Sequence, residues 1–119
     1  MVGVGRRILP KTETPEQARK CLELMSGRGH RVFTGVALVK ADGDMVSRVV
    51  ETRLKMKRLS SPEIDAYLDS MEWQGKAGGY GIQGRAGGFI SNLIGSYTNV
   101  VGLPLFETRN LLISAGFYL

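Results

Sequence analysis

The residues best suited to chemistry lie in a glycine-rich stretch that runs from residue 75 to residue 84. Glycines let backbone N–H groups approach a phosphate or a flat base without obstruction by side chains. Within the stretch, Lys76 supplies a point charge for phosphate, and Gln83 supplies an amide that both donates and accepts hydrogen bonds. The spacing of a Walker A loop and the context of a dinucleotide-binding fingerprint are both absent. On these grounds a nucleotide-binding loop and a tight, buried structural turn are equally open.

The composition indicates one globular domain with a moderate positive charge. The 119 residues are 43% hydrophobic and 23% charged, which suits one modest core. The net charge of +5 would attract nucleic acid, acidic surfaces or phosphorylated small molecules, but the charges are interspersed as on an ordinary solvated surface. A single cysteine and a single histidine argue against a disulfide and a zinc site. With no long apolar run and no signal-peptide pattern, we expect a cytoplasmic protein.

Start and stop signals predict three helices. The first begins after Thr14 and carries an apolar stripe that includes Cys21, which we interpret as a buried core residue rather than as a reactive thiol. The second begins after Ser60, where serine, proline and glutamate form the same capping pattern, and its apolar stripe is expected to extend to Met71. A third is predicted over residues 103–115, where a proline lies near the start and a glycine follows the end.

The other patterns predict strands and one closely packed glycine-rich region. A short strand is expected at residues 1–4, and a hairpin is expected from the extended runs at 32–39 and 45–57 with a turn between them. Nine of the sixteen glycines lie in residues 75–102, interleaved with apolar side chains, and a strand is predicted inside this region at 89–94. These elements indicate an α/β fold with a mixed sheet and flanking helices.

Two segments in the second half of the chain resemble the signature of the Maf family of nucleotide pyrophosphatases. They are KAGGYGIQG at residues 76–84 and GSYTNVVGLPL at residues 95–105. Three upstream segments agree with the family in order and spacing, and these are residues 8–11, 14–18 and 24–36. Each segment alone is weak evidence for the family, but the segments in this order and spacing are specific to it. The similarity covers nearly the whole chain, so the sequence is identified as a member of this family.

The resemblance implies a house-cleaning hydrolase, also called a septum-formation inhibitor, that cleaves a nucleoside triphosphate between its α- and β-phosphates. The Ile-Gln-Gly form of the loop resembles the branch that acts on dTTP and UTP. By the same resemblance, Lys11 contacts the triphosphate and Gln83 stands at the nucleotide site, and these two are the candidate catalytic residues. Lys76, Gly81 and Gly84 complete the candidate nucleotide-binding set.

Family membership also implies a cofactor and an architecture. The cofactor would be a divalent metal, Mg²⁺ or Mn²⁺, and no residue of this chain is assigned as its ligand. The fold would resemble that of inosine triphosphatases, with two lobes around a nucleotide cleft. Residues 1–119 would then be a single partial domain that holds the second lobe and part of the central sheet. In this arrangement His30 is interpreted as a structural histidine.

The sequence departs from the family pattern at its start. Members begin with a Ser-x-Ser-x-x-Arg phosphate loop and later carry an Asp-Thr pair with the proposed catalytic aspartate, and neither is present here. We therefore expect a member shortened at its start, and we expect the 119-residue chain not to hydrolyse nucleotides. The alternative is a non-catalytic nucleotide-binding or regulatory module. A small basic nucleic-acid binder has only the interleaving of Arg85, Tyr80 and Phe89 in its favour.

The expected partner is a nucleoside triphosphate, with no nucleic acid and no membrane. A shortened chain would also leave an unpaired sheet edge or an exposed apolar surface. Either feature favours self-association, for example as a homodimer.

Overall fold

The computed structural model describes residues 1–117. One antiparallel sheet forms the centre of the fold. Its strands are β1 (Val2–Val4), β2 (Arg7–Leu9), β3 (Gly29–Val39), β4 (Met45–Met56) and β5 (Ile90–Ile94). They lie in the order β2-β1-β3-β4-β5, and each neighbouring pair is antiparallel. The α/β class expected from the sequence is confirmed, and the sheet that was expected to be mixed is antiparallel at each pairing of the described strands.

The helices are α1 (Pro15–Met25), α2 (Ser61–Asp69), α3 (Tyr97–Val101) and α4 (Leu105–Ser114), with a short 3₁₀ helix at Arg85–Phe89. In the part of the chain that the structure describes, none of these helices is long and apolar enough to cross a membrane. The first, second and last α-helices correspond to the three that the sequence predicts.

Two capping boxes fix where α1 and α2 begin. The Thr14 hydroxyl accepts a hydrogen bond from the Gln17 amide at 3.2 Å, and the Gln17 side chain accepts one from the Thr14 amide at 3.3 Å. Ser60 and Glu63 exchange the same two bonds at the start of α2, at 3.3 and 3.0 Å. Each box satisfies two amides that no helical carbonyl can reach, and losing the cap residue typically costs about 1 kcal/mol. The capping predictions are therefore confirmed.

The hairpin of β3 and β4 is the longest feature of the molecule. Its eleven residue pairs run without a break, from Gly29 opposite Lys55 to Val39 opposite Met45. At the turn, the Asp42 carboxylate accepts a hydrogen bond from the amide of Asp44 at 3.0 Å, and Gly43 takes a left-handed φ of 91°. This arm contributes to the elongated shape of 53 × 27 × 26 Å.

The helices pack against one face of the sheet, and the opposite face carries exposed charged side chains. Thr52, Leu54 and Met56 of β4 are buried together with the apolar stripes of α1 and α2. On the opposite face, Glu51 lies 3.3 Å from Arg31 and 3.7 Å from Arg53 in exposed ion pairs. Such pairs add little stability, so the core on the helical side holds the fold together.

Two local features of the structure were not predicted, and one prediction was wrong. The chain turns at Gly5 and Arg6 after β1, and the strand β2 that follows, which pairs with β1 in register, was not predicted. Helix α3 was not predicted, because five residues are too few for hydrophobic periodicity to reveal a helix. Met71 was placed in the apolar stripe of α2, but it lies beyond the end of that helix with a φ of 64° and is 52% exposed.

Candidate functional site

A cleft of about 390 Å³ opens beside the glycine-rich loop. Its lining is contributed by β1, β3, the loop at residues 72–84, α3 and the glycine that follows α3. The polar side chains on the lining belong to Thr34, Glu72, Lys76, Tyr80, Gln83 and Asn99. The cleft therefore combines open backbone, one ammonium group, one carboxylate and two amides.

The segment that follows β2 holds one end of the loop. The amide of Thr12 donates to the Lys76 carbonyl at 3.0 Å, and the amide of Gly75 donates to the Thr12 carbonyl at 2.8 Å. The hydroxyl of Thr12, which is fully buried, donates to the carbonyl of Trp73 at 2.6 Å. These bonds fix the backbone from which the Lys76 side chain projects into the cleft.

Glycine is required where the loop turns against helix α1. Gly79 has a φ of 84°, and a Cβ there would lie 3.5 Å from the Cα of Ala18. A side chain at Gly79 would be strained by that positive φ, whatever space surrounds it. The carbonyl of Gly79 accepts a hydrogen bond from the Tyr67 hydroxyl at 2.8 Å. The turn at Gly79 is thus held in place by contacts with α1 and α2.

The ammonium of Lys76 lies over the backbone of Gly81. Its Cε and Nζ are 3.6 and 3.7 Å from the position that a Cβ on Gly81 would occupy. Glycine at this position leaves room for the lysine side chain inside the cleft, where a mobile cation can meet an anionic ligand.

The far end of the loop is tied to a neighbouring ion pair. Glu72 accepts a hydrogen bond from the backbone amide of Arg85 at 3.1 Å, and its other carboxylate oxygen lies 3.0 Å from the Arg85 side chain. Gln83 is exposed on the cleft lining, and in residues 1–117 no hydrogen bond occupies its side-chain amide. That amide is therefore available to a ligand.

Two buried rings lie beneath the middle of the loop. His30 of β3 is 2% exposed and Tyr80 is 6% exposed, and the His30 Nε2 is hydrogen-bonded to the Tyr80 hydroxyl. Burial lowers the pKa of His30 to about 4 and raises the pKa of Tyr80 above its usual value. Both rings are neutral at pH 7 because burial disfavours a charge on either one.

Asn99 fixes α3 to both strands of the hairpin. Its side-chain nitrogen donates to the carbonyls of Val32 and Val50, each at 3.1 Å, and to the hydroxyl of Thr52 at 2.9 Å. Asn99 is fully buried, so these bonds hold the wall of the cleft that α3 supplies. Asn99 was not identified from the sequence, where the only signal is one amide set directly before two valines.

The cleft brings together four of the five residues predicted to bind a nucleotide, namely Lys76, Gly81, Gln83 and Gly84. The structure places Lys11 outside the lining of this cleft. Its side chain is exposed, and its backbone forms an isolated antiparallel bridge with Ala77, which does line the cleft. A contact between Lys11 and a triphosphate stays a prediction.

The described residues do not fit a divalent metal site. Within residues 1–117, no group of three or more histidine, cysteine, aspartate or glutamate side chains is placed to hold a metal ion. The carboxylate on the cleft lining, that of Glu72, is engaged by Arg85. Magnesium and manganese require several oxygen ligands, so this donor set is too small.

The sequence matches a known protein family. The model of a family described as "Maf-like protein" matches residues 1–115. The chain belongs to that family.

Several curated relatives of this chain carry the name dTTP/UTP pyrophosphatase. A relative from Maricaulis maris is 68% identical over 117 residues, which are 98% of this chain and 56% of the relative. Relatives from Brucella abortus and Caulobacter vibrioides are 61% and 59% identical over 98% of the chain, which is 56% and 61% of those proteins. The chain thus spans about half the length of the curated relatives it matches.

Proposed function

We propose that the cleft binds a pyrimidine nucleoside triphosphate and that the chain contributes to the hydrolysis of dTTP or UTP to a monophosphate and pyrophosphate. The observation that carries the proposal is the convergence of Lys76, Gln83 and unobstructed glycine backbone in one cleft. The names of the relatives support the choice of substrate.

Each cleft residue has a proposed role that follows from its chemistry. The Lys76 ammonium, which lies over Gly81, neutralises phosphate charge. The free amide of Gln83 reads a base edge or holds a water molecule, since it both donates and accepts. Lys11 acts from the rim, because its backbone adjoins Ala77 and its flexible stem can carry the ammonium toward the phosphates.

A divalent metal, Mg²⁺ or Mn²⁺, is proposed as the cofactor, with its ligands mostly outside this chain. When bound, it would supply charge neutralisation across the phosphates. The residues described here would supply binding and part of that neutralisation. We therefore expect the 119-residue chain to bind nucleotide and to release almost no pyrophosphate.

Calorimetry and a pyrophosphate assay test the two parts of this proposal. Titration with dTTP should give a dissociation constant that rises about tenfold or more in Gln83→Ala, corresponding to about 1.4 kcal/mol. Gln74→Ala is the matched control, because Gln74 is an exposed glutamine of the same loop that lies outside the cleft lining. No heat at millimolar dTTP would contradict the binding site.

A non-catalytic nucleotide-binding module is the second candidate function. It is favoured by the engagement of Glu72 with Arg85, which leaves the cleft without an available carboxylate from the described residues. Incubation of the chain with dTTP, UTP and Mg²⁺ tests the non-catalytic module. Robust pyrophosphate release would overturn both the non-catalytic module and the expectation that this chain is inactive.

Self-association is proposed on the basis of exposed apolar side chains near the C-terminal helices. Val101, Leu105 and Phe106 are 44%, 56% and 72% exposed. Apolar surface of this kind is usually covered in solution. Light scattering at high concentration should therefore detect a dimer or larger species, and a clean monomer would argue against it.

We take residues 1–119 to form a single partial domain, which agrees with the hydrophobic core that its helices and sheet share.

We propose a cytoplasmic location for the chain. It is supported by the buried free thiol of Cys21, since unpaired cysteines suit a reducing compartment.

A further inference from the structure

The contact between His30 and Tyr80 joins the sheet to the centre of the glycine loop. His30 belongs to β3, which is paired on both sides by β1 and β4. Tyr80 lies between two glycines of the loop and lines the cleft. The rings meet edge to face, with centroids 5.5 Å apart and planes at 90°. A strand paired on both sides therefore holds the aromatic residue that stands among the glycines of the loop.

The flanking glycines make this anchor important for binding. Gly78 and Gly79 have φ values of 69° and 84°, and Gly81 follows directly after Tyr80. Glycine backbone loses more conformational freedom than any other residue when it is ordered. A loop that is ordered before the ligand arrives avoids that loss at the moment of binding.

The histidine ring is suited to this contact. Burial favours its neutral form, in which one nitrogen can accept a hydrogen bond from the tyrosine hydroxyl. The other nitrogen, Nδ1, is buried and has no hydrogen-bond partner in the described residues. The polar contact of His30 is thus directed at the loop, since its Nε2 faces Tyr80.

We propose that His30 and Tyr80 form a positioning pair, whose buried side-chain contact sets the loop at residues 81–84 for nucleotide binding. The inference rests on the proposed nucleotide-binding function. Under it, the pair acts on the affinity for ligand as well as on the stability of the fold. A pair that only filled the core would act on stability alone.

A double-mutant cycle on the full chain tests the proposal. Tyr80→Phe keeps the ring and removes the hydroxyl, and His30→Gln removes the ring that pairs with it. By calorimetry at pH 7, each variant should raise the dissociation constant for dTTP about three- to tenfold, the range expected for one hydrogen bond. The double variant should be no weaker than the poorer single variant, because both changes remove one interaction.

Ser60→Ala is the matched control for stability. It removes a helix cap on α2, away from the cleft lining, and should lower the melting temperature without changing the dTTP affinity. If Tyr80→Phe behaves as this control does, the pair is merely structural and the proposal is overturned. Additive losses in the double variant would overturn it as well. Circular dichroism establishes that each variant is folded.

A measurement without ligand separates this inference from the proposed function. In Tyr80→Phe, hydrogen exchange at the amides of Gly81 and Gln83 should become faster than in the unmodified chain, while the amide of Gly43 at the hairpin turn should not change. Faster exchange with no nucleotide binding by the unmodified chain would support the positioning pair and contradict the nucleotide site. Unchanged exchange would overturn the positioning pair, whatever the chain binds.

Discussion

Substituting alanine for Gly87 should distort the cleft, although Gly87 is not one of the residues that line it. Gly87 lies in the 3₁₀ helix that follows the loop, and a Cβ at this position would lie 2.3 Å from the carbonyl oxygen of Ile82. Real Cβ atoms essentially never lie closer than 3.0 Å to another heavy atom, and this separation is about 0.7 Å shorter than that limit. Ile82 lines the cleft directly before Gln83, so its displacement should move the amide proposed to contact the ligand.

The neighbouring Gly88 gives a matched control for this change. It belongs to the same 3₁₀ helix, and a Cβ there would meet nothing within 4 Å. Neither glycine has a positive φ, so alanine is not strained by backbone conformation at either site. Gly88→Ala should therefore be neutral or stabilising by up to about 1 kcal/mol, through the unfolded state.

The two variants should separate in both stability and affinity. Overpacking of this kind costs about 1–3 kcal/mol, so Gly87→Ala should unfold at a lower urea concentration than Gly88→Ala. Its dissociation constant for dTTP should rise about tenfold, since a displacement approaching 1 Å disturbs a binding geometry strongly. Urea unfolding and calorimetry measure the two effects. Equal dTTP affinity in the two variants would refute the argument that Ile82 and the 3₁₀ helix position the loop.

Three further predictions follow from single side chains. Because the pKa of His30 is about 4 in the folded chain and about 6.5 when unfolded, protons bind preferentially to the unfolded chain between these values. Stability should therefore fall by up to about 3 kcal/mol as the pH drops from 6.5 to 4, and urea unfolding of His30→Gln should lack this loss. Asn99→Ala should cost about 3 kcal/mol, because the buried carbonyl of Val32 and the partly buried carbonyl of Val50 lose their donor, and Asn99→Asp should not restore this stability. Equal melting temperatures for Asn99→Ala and the unmodified chain would contradict this prediction. Lys76→Met should raise the calorimetric dissociation constant for dTTP several-fold more than that for dTMP, and a parallel change would exclude a contact with the β- or γ-phosphate.

Local sequence patterns were sufficient for the elements that local forces determine. Thr14 and Ser60 predict where α1 and α2 begin, because each capping interaction joins residues that lie within four positions of each other in the sequence. The hairpin follows from extended runs around a turn that includes Gly43, which needs a positive φ. The loop residues Lys76 and Gln83 were identified from their types and from the family resemblance, and the structure places both on one cleft.

Contacts between distant segments could not be predicted in the same way. The bonds of Asn99 to β3 and β4 span 67 and 49 residues, and they hold a helix too short to show a period. The pairing of His30 with Tyr80 joins residues 50 apart, although each residue lies in a recognisable segment. Lys11 was placed at the ligand by resemblance, whereas the structure ties only its backbone to the cleft through Ala77.

Nuclear magnetic resonance titration of the ¹⁵N-labelled chain with dTTP tests the cleft most directly. The backbone amides of Gly81 and Gly84 and the side-chain amide of Gln83 should shift together and saturate, while the amide of Gly43 at the distant hairpin turn should stay fixed. Shifts confined to the exposed sheet face around Arg31, or no saturating shift at all, would contradict nucleotide binding at this cleft.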